Sequence, residues 1–178
     1  MKHEATLPPL PRSLKFGLLA TLGLFLTLLA INQLLVSPVA SKGIVDLELA
    51  SNAERTLAIL ASWGEQGVLW AQVSLWLDFL FIAIYVVSLL ALTGYLLQDR
   101  PGIRERKVGH SVRALFVGAG VCDVAENVLL LNNLSAPSDS VSLAAALCAM
   151  IKFTALLLGG AGLLVIRAER RHPLETSR

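Results

Sequence analysis

Four long apolar runs divide the chain, each bounded by polar or charged residues. The first, 14–36, is interrupted only by Lys15 at its edge and by Asn32 and Gln33. The second, 74–97, carries Asp78 near its start. The third, 112–133, has Arg113 at its lip and Asp123, Glu126 and Asn127 within it; the fourth, 143–166, contains Lys152. A helix needs about 20 apolar residues to cross the hydrocarbon core of a bilayer, and each run meets that length. Within lipid every backbone amide must be satisfied inside its own segment, so the runs are expected to be helices. The pattern predicts an all-α polytopic membrane protein: one four-span domain over 1–178, its helices in a bundle, with tails at 1–13 and 167–178.

The connections carry their own signals. In 37–73, Ser51 and Glu54 have the spacing of a capping box, with Ser51 expected at the N-cap. Ala53, Leu57, Leu60, Ala61 and Trp63 then recur at helical spacing, and Gly64 is a natural stop. A short amphipathic helix is expected at about 52–63, lying at the outer interface with Trp63 at headgroup level. Asp46, Glu48, Glu54 and Glu65 make this loop negative. It reads as a lid over the bundle, with substrate gating as the alternative role. A turn is expected at 98–102, a basic patch at 104–107 facing anionic headgroups, and a tight connection at 133–141.

Composition agrees with this picture. Mean hydropathy is +0.68 and 55% of residues are hydrophobic, too apolar for a soluble domain of 178 residues. The net charge of +2 comes without any groove of interleaved aromatic and basic residues, so nucleic acid is not an expected partner. Cys122 and Cys148 each sit inside an apolar run, and no CxxC occurs, so both read as packing residues. His3, His110 and His172 lie in tails or near span ends. Without His or Cys clusters, neither a metal site nor a cofactor is expected. Gly118 and Gly120 lie in an apolar helix, outside any phosphate-binding fingerprint, and read as packing.

Lysine and arginine set the expected orientation. Lys2, Arg12 and Lys15 precede the first run; Arg100, Arg104, Arg106, Lys107 and Arg113 connect the second and third; Arg167, Arg170, Arg171 and Arg178 follow the fourth. Against these twelve, the first loop has only Lys42 and Arg55, and 134–142 has none. All twelve fall on one side of a four-span protein, and that side is expected to be the cytoplasm of an inner, or plasma, membrane. The first run follows basic residues, and Val39, Ala40 and Ser41 resemble a signal cleavage site. Its apolar stretch nevertheless exceeds the 7–15 residues or so of a signal core, so it is expected to stay as a span.

Candidate chemistry gathers in the polar residues of the spans. Asp123, Glu126 and Asn127 stand at i, i+3 and i+4, on one face of the third helix. Glu126 and Lys152 each lie roughly 21 Å from the cytoplasmic ends of their spans at 1.5 Å per residue, so they should meet. Lys152 shares a stripe with Ala145, Ala149 and Leu156, and Gly118 and Cys122 are expected to admit a neighbouring helix as well. A charge facing lipid at mid-bilayer costs about 2.5–3.5 kcal/mol or more, so these groups should turn inward. Asp78, Asp123 and Glu126 against one lysine leave a surplus of negative charge, to be removed by protonation, a bound cation or water. The leading expectation is a non-enzymatic protein that binds or conducts a proton, a small cation or an amphiphile at Asp78, Asp123, Glu126, Asn127 and Lys152. One rival is a lipid- or isoprenoid-modifying enzyme using the same carboxyls. Another is an assembly protein whose polar core only fixes helix packing. The bilayer is the one partner the composition demands, and homo-oligomerisation is compatible with the pattern but not dictated by it.

Asp78 within 77–82, Tyr85, the Asp123-x-x-Glu126-Asn127 face and Lys152-Phe153, with Glu48-Leu49-Ala50 and Trp63-Gly64 in the loop, resemble a pattern in small four-helix bacterial membrane proteins. That likeness covers most of 44–157 and implies the fold but no activity. A fainter likeness of layout is to the four-helix sterol-isomerase and sigma-2-receptor domain, in which an acidic residue on the second helix contacts a ligand amine. Only Asp78 maps onto it; the Asp-x-x-Glu-Asn face and Lys152 depart from it.

Reporter fusions after residues 105 and 175 are expected to signal cytoplasm, and fusions near 50 and 138 the opposite side. A signal from the opposite side at residue 105 would overturn the four-span assignment.

Overall fold

A computed structural model of the chain describes residues 9–98 and 103–171. Among them are five helices and their connections, and no strand. They are α1 (Arg12–Gln33), α2 (Ile44–Glu48), α3 (Ala53–Leu96), α4 (Ile103–Ser135) and α5 (Asp139–Arg171). All but α2 are long and apolar enough to cross a membrane, as in a multi-pass membrane protein. Of the turn expected at 98–102 only Gln98 falls within the described residues; His3, His172 and most of both tails lie outside them.

The helices start and stop for local reasons. Pro11 stands just before α1, where its missing N–H is no loss, and its carbonyl accepts from Lys15 N at 3.0 Å. α1 ends at Gln33, inside its apolar run, because 34–43 fold back across the helix ends. α3 is one 44-residue element broken at Gly64, whose φ of 62° and ψ of −174° are not helical. The stretch 53–63 is thus a separate helix, stopped at the expected glycine. Its N-cap, however, is Asn52 rather than Ser51: the Asn52 carboxamide oxygen accepts from Arg55 N at 2.8 Å. Its inward face also differs from the expected one. Thr56 and Ile59 are fully buried and Trp63 partly so, while Leu57 and Ala61 face outward. After Gly64 the helix runs unbroken through 65–96, starting well before the apolar run at 74.

Small residues decide which helices lie close. α4 and α5, joined by a three-residue connection, pack on each other most extensively, with Ala119, Ala145 and Ala149 fully buried. Gly159 leaves room for Phe116 and Gly162 for Val112. Gly120 does the same for Val86 on α3, whereas Gly118, expected to admit a neighbour, faces open space. α3 packs on α4 and α1 packs on α3, but α1 makes at most marginal contact with α4 and α5.

Two apolar clusters close the two ends of this assembly. At the end carrying α2 and the α4–α5 connection (the cap end), Ala40, Leu47, Ile59, Leu75, Leu130 and Ala145 are buried together. A chain of hydrogen bonds reinforces it: Asn133 Nδ2 donates to Ser142 Oγ at 2.8 Å, Ser142 Oγ lies 3.0 Å from Thr56 Oγ1, and Ala53 N donates to Asp139 at 2.7 Å. At the opposite, tail end, Leu14, Tyr95, Leu96, Val112, Phe116 and Ile166 form the second cluster.

Gly43 and Gly64 both hold positive φ, but a Cβ at Gly43 would collide with the Asn32 side chain while one at Gly64 would meet nothing. Gly64→Ala is expected to cost about 1–3 kcal/mol, the strain alone of a positive φ with ψ near 180°. Gly43→Ala should cost about 3 kcal/mol or more, adding displacement of Asn32 to that strain. Melting temperatures in detergent would rank them, and an equal drop would mean that Asn32 does not hold the turn.

Candidate functional site

The polar residues of the spans converge beneath the cap. Asp123 and Glu126, one turn apart on α4, both reach Lys152 on α5. Its Nζ lies 2.7 Å from Glu126 Oε2 and 3.0 Å from Asp123 Oδ1. The expected Glu126–Lys152 pair is therefore present, and Asp123, which has no base near it in sequence, shares the same ammonium. Asn127 turns toward α3, where its Nδ2 donates to Asp78 Oδ2 at 2.7 Å. All five candidate residues thus meet in one region. Glu126 is completely buried, Asp123 and Lys152 nearly so, and Asp78 partly exposed.

Two participants were not among the candidates. Tyr85 donates its hydroxyl to Asp123 Oδ2 at 3.0 Å. Its spacing of seven from Asp78 puts both on one face of α3, a signal available in the sequence. The other is Glu48, whose Oε2 lies 3.8 Å from Lys152 Nζ. Glu48 reads as one of four loop acids, and nothing local separates it from Asp46. The difference is tertiary. Gly43 turns the chain, Asn32 Oδ1 accepts from Ile44 N at 2.7 Å and Asn32 Nδ2 donates to Lys42 O at 3.2 Å. Leu47 is then buried in the cap cluster and Glu48 points down into the assembly. Asp46 faces the other way: it accepts from Lys42 N at 2.7 Å and sits 3.9 Å from Arg55. Arg55 donates to Val39 O at 2.8 Å and Trp63 Nε1 to Leu35 O at 2.6 Å, tying the cap down. Burial pushes the Glu48 carboxyl above its ordinary range, against the pull of Lys152 and with the help of Asp123.

The site therefore holds four carboxyl groups and one ammonium. Glu126 Oε1 is inaccessible and has no hydrogen-bond partner, and Glu48 Oε2 is inaccessible with only the long contact to Lys152. Among the described residues Asp78 makes no ion pair, and no group of three His, Cys, Asp or Glu side chains is disposed to hold a metal ion. His110 is used locally, its Nδ1 lying 2.7 Å from Arg106 O.

Beside the carboxyls lies a cavity of about 390 Å³. α1 and α3 form most of its wall through Leu18, Thr21, Phe25, Leu28, Phe81 and Leu89, and Phe153 and Leu156 of α5 face it from the other side. Asp78, Asp123, Asn127, Lys152 and Glu48 reach it from the cap half. Apolar walls with a few convergent polar groups are the usual make-up of a small-molecule site. Chemically, Asp78 can accept from a cationic or hydrogen-bond-donating group there, and the Tyr85–Asp123 pair can hold or pass a proton. No protein-family model, curated protein or solved structure matches the chain.

Lys152→Met would leave three carboxyls without their counter-charge, at a cost of about 3–5 kcal/mol for a broken buried pair. Because Asp123 and Glu48 share that ammonium, adding Glu126→Gln should restore only part of the loss in detergent melting temperature. Full recovery by Glu126→Gln alone would mean that Glu126 is the one carboxyl the lysine compensates.

Proposed function

We propose that this chain is a non-enzymatic, multi-pass protein of the inner membrane that binds a small amphiphile with a cationic head. The observation that carries this reading is the cavity: apolar for most of its wall, it ends at a carboxyl, Asp78, that makes no ion pair among the described residues. In this reading the four long helices form a bundle, both termini lie in the cytoplasm, and the cap end faces outward. The helix 53–63 lies at the outer interface. The excess of carboxyls over ammonium groups favours a positively charged partner, because a surplus of buried negative charge is costly until something compensates it. A bare metal ion fits less well, since among the described residues no three potential ligands are disposed to hold one. A polar core serving packing alone would be expected to close on itself at ordinary protein density, and the space beside Asp78 argues against it.

A second reading is a membrane-embedded enzyme acting on a lipid or isoprenoid. The specific observation in its favour is that two carboxyls facing the cavity have different partners. Asp78 is held by an amide and Asp123 by a phenol and an ammonium, an asymmetry that suits separate acid and base roles.

Dodecyltrimethylammonium, added to the purified protein in a neutral detergent, should raise its melting temperature, and dodecyl maltoside or dodecyl sulfate should not. Asp78→Asn should weaken the effect roughly ten- to a hundredfold in concentration, the value of one charge-assisted contact. Stabilisation by all three amphiphiles alike would remove the cationic head from the reading. Loss of biological function in Asp123→Asn with ligand binding intact would favour the enzyme.

A further inference from the structure

Buried apolar clusters lie at both ends of the helices that line the cavity. At the cap end Leu47, Ile59, Leu75 and Leu130 are buried together, and Trp63 and Arg55 tie down the neighbouring chain. At the tail end Leu14 of α1 belongs to the buried cluster of Tyr95, Leu96, Val112, Phe116 and Ile166. Between these clusters α1 and α5 both line the cavity yet make at most marginal contact with each other. The gap between them is flanked by side chains suited to lipid: Phe25, Leu26 and Leu29 on α1, and Leu157 and Leu158 on α5, are all exposed.

The lining also has a direction. Along α1 it runs from Leu18 to Asn32, about 21 Å at 1.5 Å per residue. Along α3 it runs antiparallel from Leu89 to Ser74. The polar groups crowd into the cap half, at Asn32, Glu48, Asp78 and Asn127, whereas the tail half is bounded by Leu18, Leu89 and Leu156, with the Tyr85 hydroxyl near the middle and the Thr21–Ser88 hydroxyl pair beyond it. A groove of about 21 Å exceeds half of the roughly 30 Å hydrocarbon core, so it can take a full acyl chain from one leaflet. One stripe of α1 faces one stripe of α3 along the groove.

Resting on the binding reading above, we propose that the occupant is a single-chain cationic lipid drawn from the bilayer itself. It passes sideways between α1 and α5, lays its chain along α1 toward the tail end and leaves its head at Asp78. Water-soluble amines lack the chain that fills the groove. Few close backbone approaches join α1 to α5, so little has to be parted for this passage.

The test uses the full chain in phosphatidylcholine nanodiscs containing a trace of an alkylamine that bears a diazirine near its chain terminus. After irradiation, the label is mapped by peptide mass spectrometry. Label should concentrate on the groove positions Leu18, Thr21 and Leu156 over the lipid-facing Leu157 and Leu164. Unlabelled octadecylamine should compete it away, butylamine should not, and Leu29→Trp in the gap should slow its appearance. Label spread evenly over lipid-facing positions would overturn the proposal. So would equal competition by butylamine, which would place access on the aqueous side while leaving cation binding at Asp78 intact. Groove labelling that persists unchanged in Asp78→Asn would separate the two ideas the other way, keeping the lateral route and removing the cationic head.

Discussion

An ammonium buried among apolar helices has to be surrounded, and Lys152 is surrounded from two sides at once. Asp123 and Glu126 approach along α4, and Glu48 arrives from α2 in the cap. Taking a charge out of water carries a penalty of several kcal/mol, repaid only where opposite charges sit at hydrogen-bond distance. Much of the architecture follows from supplying them. Ala145 and Ala149 bring α5 close enough to α4 for two carboxyls to reach the amine. The turn at Gly43, braced by Asn32, aims the third. The cap and the membrane-depth helices are therefore joined by charge as well as by apolar contact.

The parts of this arrangement that were readable in the sequence were those governed by periodicity. Runs of apolar residues mark the four long helices, and the i, i+3, i+4 spacing puts Asp123, Glu126 and Asn127 on one face. The equal depth of Glu126 and Lys152 announces their contact before any coordinates exist. What was not readable depends on chain reversal. Glu48 and Asp46 stand two residues apart in the same short segment, and only the path of 34–43 sends one to Lys152 and the other to Arg55. The cap at Asn52 rather than Ser51 has the same origin. The chain enters α3 under the pull of Asp139, which takes the Ala53 amide and shifts the helix start by one residue.

The surplus of carboxyls gives the interior its bias. A lysine balanced by one acid would be a clamp between helices and nothing more. Here the cluster extends past its counter-charge toward α3, where Asn127 provides Asp78 with a hydrogen bond but no positive charge. The carboxyl without an ion pair, Asp78, faces the cavity beside the paired Asp123 and Lys152, while Glu126 is sealed away between α4 and α5. Structure-fixing and ligand-facing duties fall on different residues of one network, which is why substitutions at Glu126 and Asp78 should have such different consequences.

The break at Gly64 leaves 65–96 as a single rod, roughly 48 Å long at 1.5 Å per residue. Its first turns, 65–73, precede the apolar run that begins at 74 and form a stem beneath the helix 53–63. The stem is rigid, and its rotation is coupled to its height: each residue adds 1.5 Å and about 100° of turn. Cap and carboxyl cluster are consequently phase-locked. Lengthening the stem by one residue would swing Asp78 a quarter-turn or more away from Asn127, whereas adding four would nearly restore the azimuth while lifting the cap by about one helical pitch. Length variation between 65 and 73 is thereby restricted to steps near whole turns, a quantisation that flexible loops of the same size do not impose.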